Sequence, residues 1–277
     1  VGANTLSTDT KGDRNVAIGM GALQTQNFTT TIDSYNTSVG YDAGTAITTG
    51  LENTLIGGLA GDALSDADYN VAIGAHALGA DTLGSRSIAI GRSTLQTQNF
   101  TTATDSYNVA IGYGAGAAVT TGTGNTLVGG LSGDALLAAA DNVAVGYLSL
   151  STETGGQNNV AVGPYALQNQ VNSSGNIYNT AVGSQAGNDV TTGAYNTIMG
   201  GLAGDALTTS DYNTAVGYLA LSTDTLGANN VAIGSAALMT QNFTTATNSY
   251  NVAVGLNAGL SITTGIRNIV VGGLAGD

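Results

Sequence analysis

Short triplets in which two aliphatic or β-branched residues flank a small one recur along the chain, as in Val16-Ala17-Ile18, Val71-Ala72-Ile73, Val109-Ala110-Ile111 and Val143-Ala144-Val145. Asn precedes almost every such triplet, Ser87 being the exception, and Gly follows it. Alternation with a period of two predicts a strand whose first and third residues share one side and whose middle residue takes the other. A strand this short is not stable alone, so it must stack on copies of itself. The glycines at 2, 19, 40, 57, 74, 91, 112, 129, 146, 163, 183, 200, 217, 234, 255 and 272 set the period: 17, 21, 17 and 17 residues, repeated, with one slip to 20. Four turns make a longer repeat of about 72 residues, visible at Gly2, Gly74, Gly146 and Gly217. These spacings predict an all-β parallel solenoid of about sixteen rungs, one domain over 1–277, cut from a longer repetitive chain. Fifteen steps at about 4.8 Å make a rod about 70 Å long.

The slots around each ruler glycine predict the interior. Three residues later stands a small residue (Ala22, Ala43, Ala60, Thr94), and the next is Leu or Gly in pairs: Leu6, Leu23, Gly44, Gly61, Leu78, Leu95, Gly116, Gly133. Where Leu is missing, an aliphatic stands seven residues after the glycine: Ile47, Leu64, Val119, Leu136, Val190, Leu207, Ile262. One cavity is thereby filled from two directions. The 21-residue turns hold Phe28, Phe100 and Phe243 and are expected to form small flaps pinned by one aromatic, with Val171 in the matching region of the 20-residue turn. The Asn column is expected to form a corner ladder, and the ruler glycines to need either positive φ or close backbone approach.

The middle residues of the triplets run Ala17, Ser38, Leu55, Ala72, Ala89, Ala110, Leu127, Ala144, Ala161, Ala181, Ile198, Ala215, Ala232, Ala253, Val270, without a charge. With Val16 and Ile18 assigned to the core, this column points outward, and a solvated face would carry Lys, Glu or Thr. It is therefore expected to be a seam where several copies pack around an axis.

Repeats such as Asn-Val-Ala-Ile-Gly-Ser-Ala-Ala-Leu (230–238) and Asn-Thr-Ala-Val-Gly-Tyr-Leu-Ala-Leu (213–221) resemble the head of trimeric autotransporter adhesins and the repeat region of phage tail fibres. The resemblance covers the whole chain. It implies a left-handed β-roll, a homotrimer and an extracellular, cell-surface or virion location. The adhesin head differs in its shorter turns of about 14 residues. The expected function is a rigid fibre or stalk acting in attachment to a host, through a cell-surface glycan or protein receptor. The alternative is a purely structural self-assembling filament without receptor binding.

Composition narrows the chemistry. The chain has 277 residues, 42 Gly, one Pro, no Cys and a net charge of −13, with only 8% of residues charged. Five scattered cations offer no basic stripe for nucleic acid, and no apolar run approaches a membrane helix. With one His and no Cys, neither a His-centred triad nor a His-Cys metal site can be assembled, so no enzyme is expected. Asp62, Asp134 and Asp205, five residues after a ruler glycine, and Asp81, Glu153 and Asp224, seven after the next, are Ca²⁺ candidates, hard cations requiring several oxygens. The competing expectation is that they accept backbone N–H bonds at turns. No other cofactor is implied. Tyr41, Tyr113, Tyr147 and Tyr218 are candidate sugar-stacking residues.

Overall fold

The computed structural model describes all residues from Val1 to Asp277 and contains strands and turns but no helix. It is a parallel β-solenoid with turns about 17 residues apart. Two compact units, Val1–Ala140 and Asp141–Asp277, are described separately. In the first, Val16–Ile18, Thr37–Val39, Thr54–Ile56, Val71–Ile73, Ile88–Ile90, Val109–Ile111 and Thr126–Val128 pair in that order, all parallel and in register. In the second, the order is Val143–Val145, Val160–Val162, Thr180–Val182, Thr197–Met199, Thr214–Val216, Val231–Ile233, Val252–Val254 and Ile269–Val271. Each ladder pairs triplet with triplet, so Ala72 lies between Leu55 and Ala89. Gly2 follows only Val1, and so the strands number one fewer than the glycines.

The faces of these strands are the reverse of the expectation. Ala72, Ala110, Ala144, Ala215, Leu55, Leu127 and Ile198 are completely buried, and Val16, Ile18, Ile56, Ile111, Met199 and Ile233 are exposed. The middle column is the core, and it is small because the coil is narrow. A Cβ on Gly61 would stand 2.8 Å from Leu55 Cδ2, and one on Gly44 would stand 2.7 Å from Leu55 Cδ1. A large middle residue is accommodated only where the slot four after the glycine is empty. Leu23, Leu78, Leu95 and Leu150 fill that slot elsewhere, while Ile47, Leu64, Val119 and Leu136 fill from the other side, all buried. The two-directional filling thus holds. Close packing explains the correlation, since interior volume must be conserved from rung to rung.

Ruler glycines are required on both counts. Gly74 has φ +133, and a Cβ there would come within 2.5 Å of the Gly91 carbonyl oxygen. Chain reversal at the other corners uses left-handed non-glycine residues, in three slots of the turn: Tyr69, His76 and Leu78 have φ of 60°, 58° and 54°. The Asn ladder runs inside the coil. Asn53 Oδ1 accepts the backbone N–H of Asn70 at 3.0 Å, and Asn53 Nδ2 donates to the Ala67 carbonyl at 2.8 Å. Each Asn thereby satisfies backbone groups of two rungs that would otherwise be buried without partners.

Phe28, Phe100 and Phe243 are buried as expected of pins. Each lies over a glycine of the preceding turn: Phe100 Cδ2 is 2.8 Å from a Cβ placed on Gly84. In the 20-residue turn this place belongs to Ile177, which is buried against Gly156, and Val171 is 47% exposed. The one-residue shorter loop brings the later aliphatic under the turn. Short parallel pairs brace these long turns, joining Gly84–Ser85 to Thr104–Asp105 and Gly227–Ala228 to Thr247–Asn248.

Candidate functional site

Two outward columns, one on each side of the buried middle residue, form the broadest uniform face of each unit. One column reads Val16, Thr37, Thr54, Val71, Ile88, Val109, Thr126 in the first unit, and Val143, Val160, Thr180, Thr197, Thr214, Val231, Val252, Ile269 in the second. The other reads Ile18, Val39, Ile56, Ile73, Ile90, Ile111, Val128, then Val145, Val162, Val182, Met199, Val216, Ile233, Val254, Val271. Neither contains a charge, and most of these residues are half-buried by their neighbours above and below. The uncharged outward stripe expected at the middle residues therefore lies one residue to either side of them.

The residue before each Asn forms a second outward column, whose signal is the Tyr-Asn pair at 35–36, 69–70, 107–108, 178–179, 195–196, 212–213 and 250–251. Sequence reading missed it, having singled out only the Tyr column that follows the ruler glycine. Tyr178, Tyr195 and Tyr212 stack, with centroids 6.0 Å and 4.9 Å apart. The Arg86 guanidinium lies 4.8 Å from the Tyr69 ring centroid and 6.0 Å from that of Tyr107, and pairs with Asp105 at 3.0 Å. Tyr41, Tyr113, Tyr147 and Tyr218 are about half exposed on their own column.

The carboxylates seven after the glycine are internal. Asp81 Oδ1 accepts the N–H groups of Gly84 and Phe100, both at 3.1 Å, and its Oδ2 accepts Gln98 Nε2 at 2.6 Å. Gln98 Oε1 in turn accepts Asn108 Nδ2 at 2.9 Å, which joins the pair to the Asn ladder. Asp224 repeats this with Gly227, Phe243 and Gln241. Glu153, one methylene longer, accepts N–H groups from Thr154, Gly155, Gly156 and Asn172 and the amide of Gln170. These oxygens face hydrogen-bond donors, the environment of an anion and not of a cation ligand. The Gln partner at the same slot one turn on (Gln26, Gln98, Gln170, Gln241) was legible as a period but not recognised as a pair.

Asp62, Asp134 and Asp205 lie nearer the surface. Burial pushes all three carboxyls above the ordinary carboxylate value, partly countered by backbone N–H bonds. The Oδ1 atoms of Asp134 and Asp205 have no hydrogen-bond partner. The field of Asp42 adds to the shift of Asp62, and that of His76 opposes it. His76 otherwise occupies a corner slot that elsewhere holds Asp42, Leu59 or Gln185, also with positive φ. Nowhere do three or more His, Asp or Glu side chains gather in a group able to hold a metal ion, so the six candidates are not brought together.

The protruding part of each long turn is smaller than expected. Thr101, Thr102 and Ala103 are exposed at the tip, while Gln98 and Phe100 are core. Removing Gln96 to Thr102 would therefore strip the interior along with the flap. No helix is long and apolar enough to cross a membrane. Neither family models, curated proteins nor solved structures gave a match to this chain.

Proposed function

We propose that this chain is a stretch of an external fibre, on a virion or a bacterial surface, in which copies of the chain associate through the Val/Ile/Thr face and the outward polar columns serve attachment. The observation that carries this reading is the uncharged face on a chain of net charge −13. Solvent-facing sheet positions normally alternate in polar residues, and an exposed edge-to-edge stripe of β-branched residues invites association. Each rung offers on the order of 50 Å² of such face, at about 4.8 Å by about 10 Å. Seven strands in the first unit and eight in the second total about 700 Å². That exceeds the usual apolar patch of a monomer and nears the roughly 800 Å² per partner of a stable interface. A second copy is the occupant of choice because it carries the same rung spacing and the same lack of charge. Three copies are proposed on the resemblance to trimeric adhesin heads and tail fibres.

The test is the mass of the wild-type chain by light scattering, alongside a variant with Ile73→Lys, Val145→Lys and Val216→Lys. A threefold mass that falls to that of one chain, with the circular dichroism spectrum unchanged, supports the reading. A wild-type chain that runs as a monomer overturns it. Attachment is tested separately, by adsorption of labelled protein to bacterial cells before and after Thr101, Thr102, Thr244 and Thr245 are replaced by Ala. Undiminished adsorption would remove the flaps from the attachment surface.

A further inference from the structure

A cavity of about 300 Å³ in the second unit, lined by Ser210, Asp211, Leu226, Ala228, Thr247 and Asn248, breaks the otherwise regular repeat. Ser210 is 95% buried, and its hydroxyl has no hydrogen-bond partner. The same slot in the first unit holds Ala67 and Ala139, whose carbonyls perform the one repeated task there, accepting Asn53 and Asn125. The Ser210 carbonyl does the same for Asn196. Its hydroxyl is thus surplus to the fold.

The first unit also shows why the space is open. There Ser85 Oγ accepts the N–H of Asp68, and Arg86 reaches across to Asp105 while lying on the rings of Tyr69 and Tyr107. At the corresponding places the second unit has Ala228, Asn229 and Asn248. Ala228 has no oxygen to offer Asp211, and Asn229 is too short to cover its neighbours. Tyr212 stacks on Tyr195 with one face, so its other face looks toward the rung of Asn229, and Tyr250 stands one rung beyond. In the first unit a flat cationic group fills that gap.

We propose that the gap and cavity form a binding site for one saccharide unit of a surface glycan. A sugar ring presents an apolar C–H face and a rim of hydroxyls. The face matches the free side of Tyr212 and the apolar floor of Leu226 and Ala228. The rim matches Ser210 Oγ, the Asp211 carboxylate, Thr247 and Asn248, groups that both donate and accept. The cavity volume falls at the lower end of small-molecule sites, as suits a single ring. Asp211 is not wholly free, since its Oδ1 accepts the Ala194 N–H at 2.7 Å, which fixes the carboxylate with Oδ2 left over. A ligand of about a dozen non-hydrogen atoms at drug-like efficiency implies a dissociation constant on the order of 1 mM. The proposal rests on the attachment reading for its biological meaning, but not for its measurement.

The experiment is a titration of the wild-type chain with glucose, galactose, mannose, N-acetylglucosamine and N-acetylgalactosamine, followed by amide NMR shifts at Ala228, Asn229 and Asn248 and by tyrosine fluorescence. At least one sugar is expected to saturate with shifts confined to residues 209–250. The combined variant Ala228→Ser, Asn229→Arg and Asn248→Asp installs the set the first unit already accommodates, so the fold is kept; it should weaken binding by more than tenfold. Ser210→Ala, which restores the residue of the other repeats, and Tyr212→Ala should each weaken it about threefold to tenfold. Absence of saturable shifts with every sugar, or shifts that survive the filling variant, overturns the site. Sugar binding that is lost in the filling variant while cell adsorption persists keeps the site and overturns its part in attachment.

Discussion

The carbonyl oxygen of Gly112 lies 2.5 Å from where a Cβ on Gly91 would stand, and Gly91 itself has φ +131. Any side chain at Gly91 meets both a backbone conformation closed to L residues and the backbone of the next rung. Gly91→Ala should cost about 3 kcal/mol or more, since neither strain nor clash can be relieved by a rotamer change. Amide exchange is expected to rise first at Ile88–Ile90 and Val109–Ile111. Protection unchanged from wild type at these strands would contradict the assignment.

Ala72→Lys, Ala144→Lys and Ala215→Lys put a charge into sealed interior positions and should unfold their rungs, at several kcal/mol each. Lys at Ile73, Val145 or Val216 leaves the interior intact. Circular dichroism separates the two sets. Loss of signal in the outward set with none in the inward set would reverse the face assignment.

Asp81→Ala leaves the N–H groups of Gly84 and Phe100 and the Gln98 amide without their acceptor. Buried donors left unpaired cost about 1–3 kcal/mol each, so the midpoint of chemical denaturation should fall clearly. Asp81→Asn, which keeps one acceptor oxygen, should lose less. Equal losses from both would mean that the carboxylate's hydrogen bonds are not what holds the turn.

The solenoid was legible because its repeat is: Asn, alternating triplet and Gly recur with little interruption, and each slot can be checked fifteen times over. Which side of the triplet faces inward was not, because Val, Ala and Ile are all apolar and alternation alone does not say which set is buried. The decisive clue was volume, in the way Leu55, Leu127 and Ile198 occur only beside Gly61, Gly133 and Gly204. The Ile177 pin was hidden for a related reason, since one deleted residue moves the aliphatic that falls under the turn. Buried carboxylates were found as positions, yet their partners lie 17 residues on and are recognisable only once adjacent turns are superposed. Ser210 and Ala228 are departures from the repeat, invisible while the repeat itself was the signal.

Asp205 carries a carboxyl whose pKa burial raises and whose Oδ1 has no partner. A carboxyl with a higher pKa in the folded chain than in the unfolded one binds its proton more tightly when folded. Its effect on stability is therefore unfavourable at neutral pH, and it is relieved as pH falls through the raised value toward the ordinary 3.8. Asp205→Asn should raise the melting temperature slightly at pH 7, by a few tenths of a kcal/mol given the screening of a half-exposed group. The gain should vanish near pH 3, and melting curves at the two pH values check it. A variant less stable at pH 7 would show that the carboxylate is stabilising.

Most rungs of this coil are nearly interchangeable, which exposes a growing stack to errors of phase. A turn laid down one step early would still find Asn under Asn and Gly under Gly. The internal Asp81–Gln98, Glu153–Gln170 and Asp224–Gln241 couples remove that freedom. Displaced by one rung, a carboxylate would face Leu64 or Leu136 instead of an amide, at the cost of a buried unpaired charge. Each couple therefore serves as a synchronising mark once every four turns, much as a lone polar residue sets alignment in a coiled coil. A long repetitive chain carrying such marks can nucleate at several places and still have its pieces meet in step.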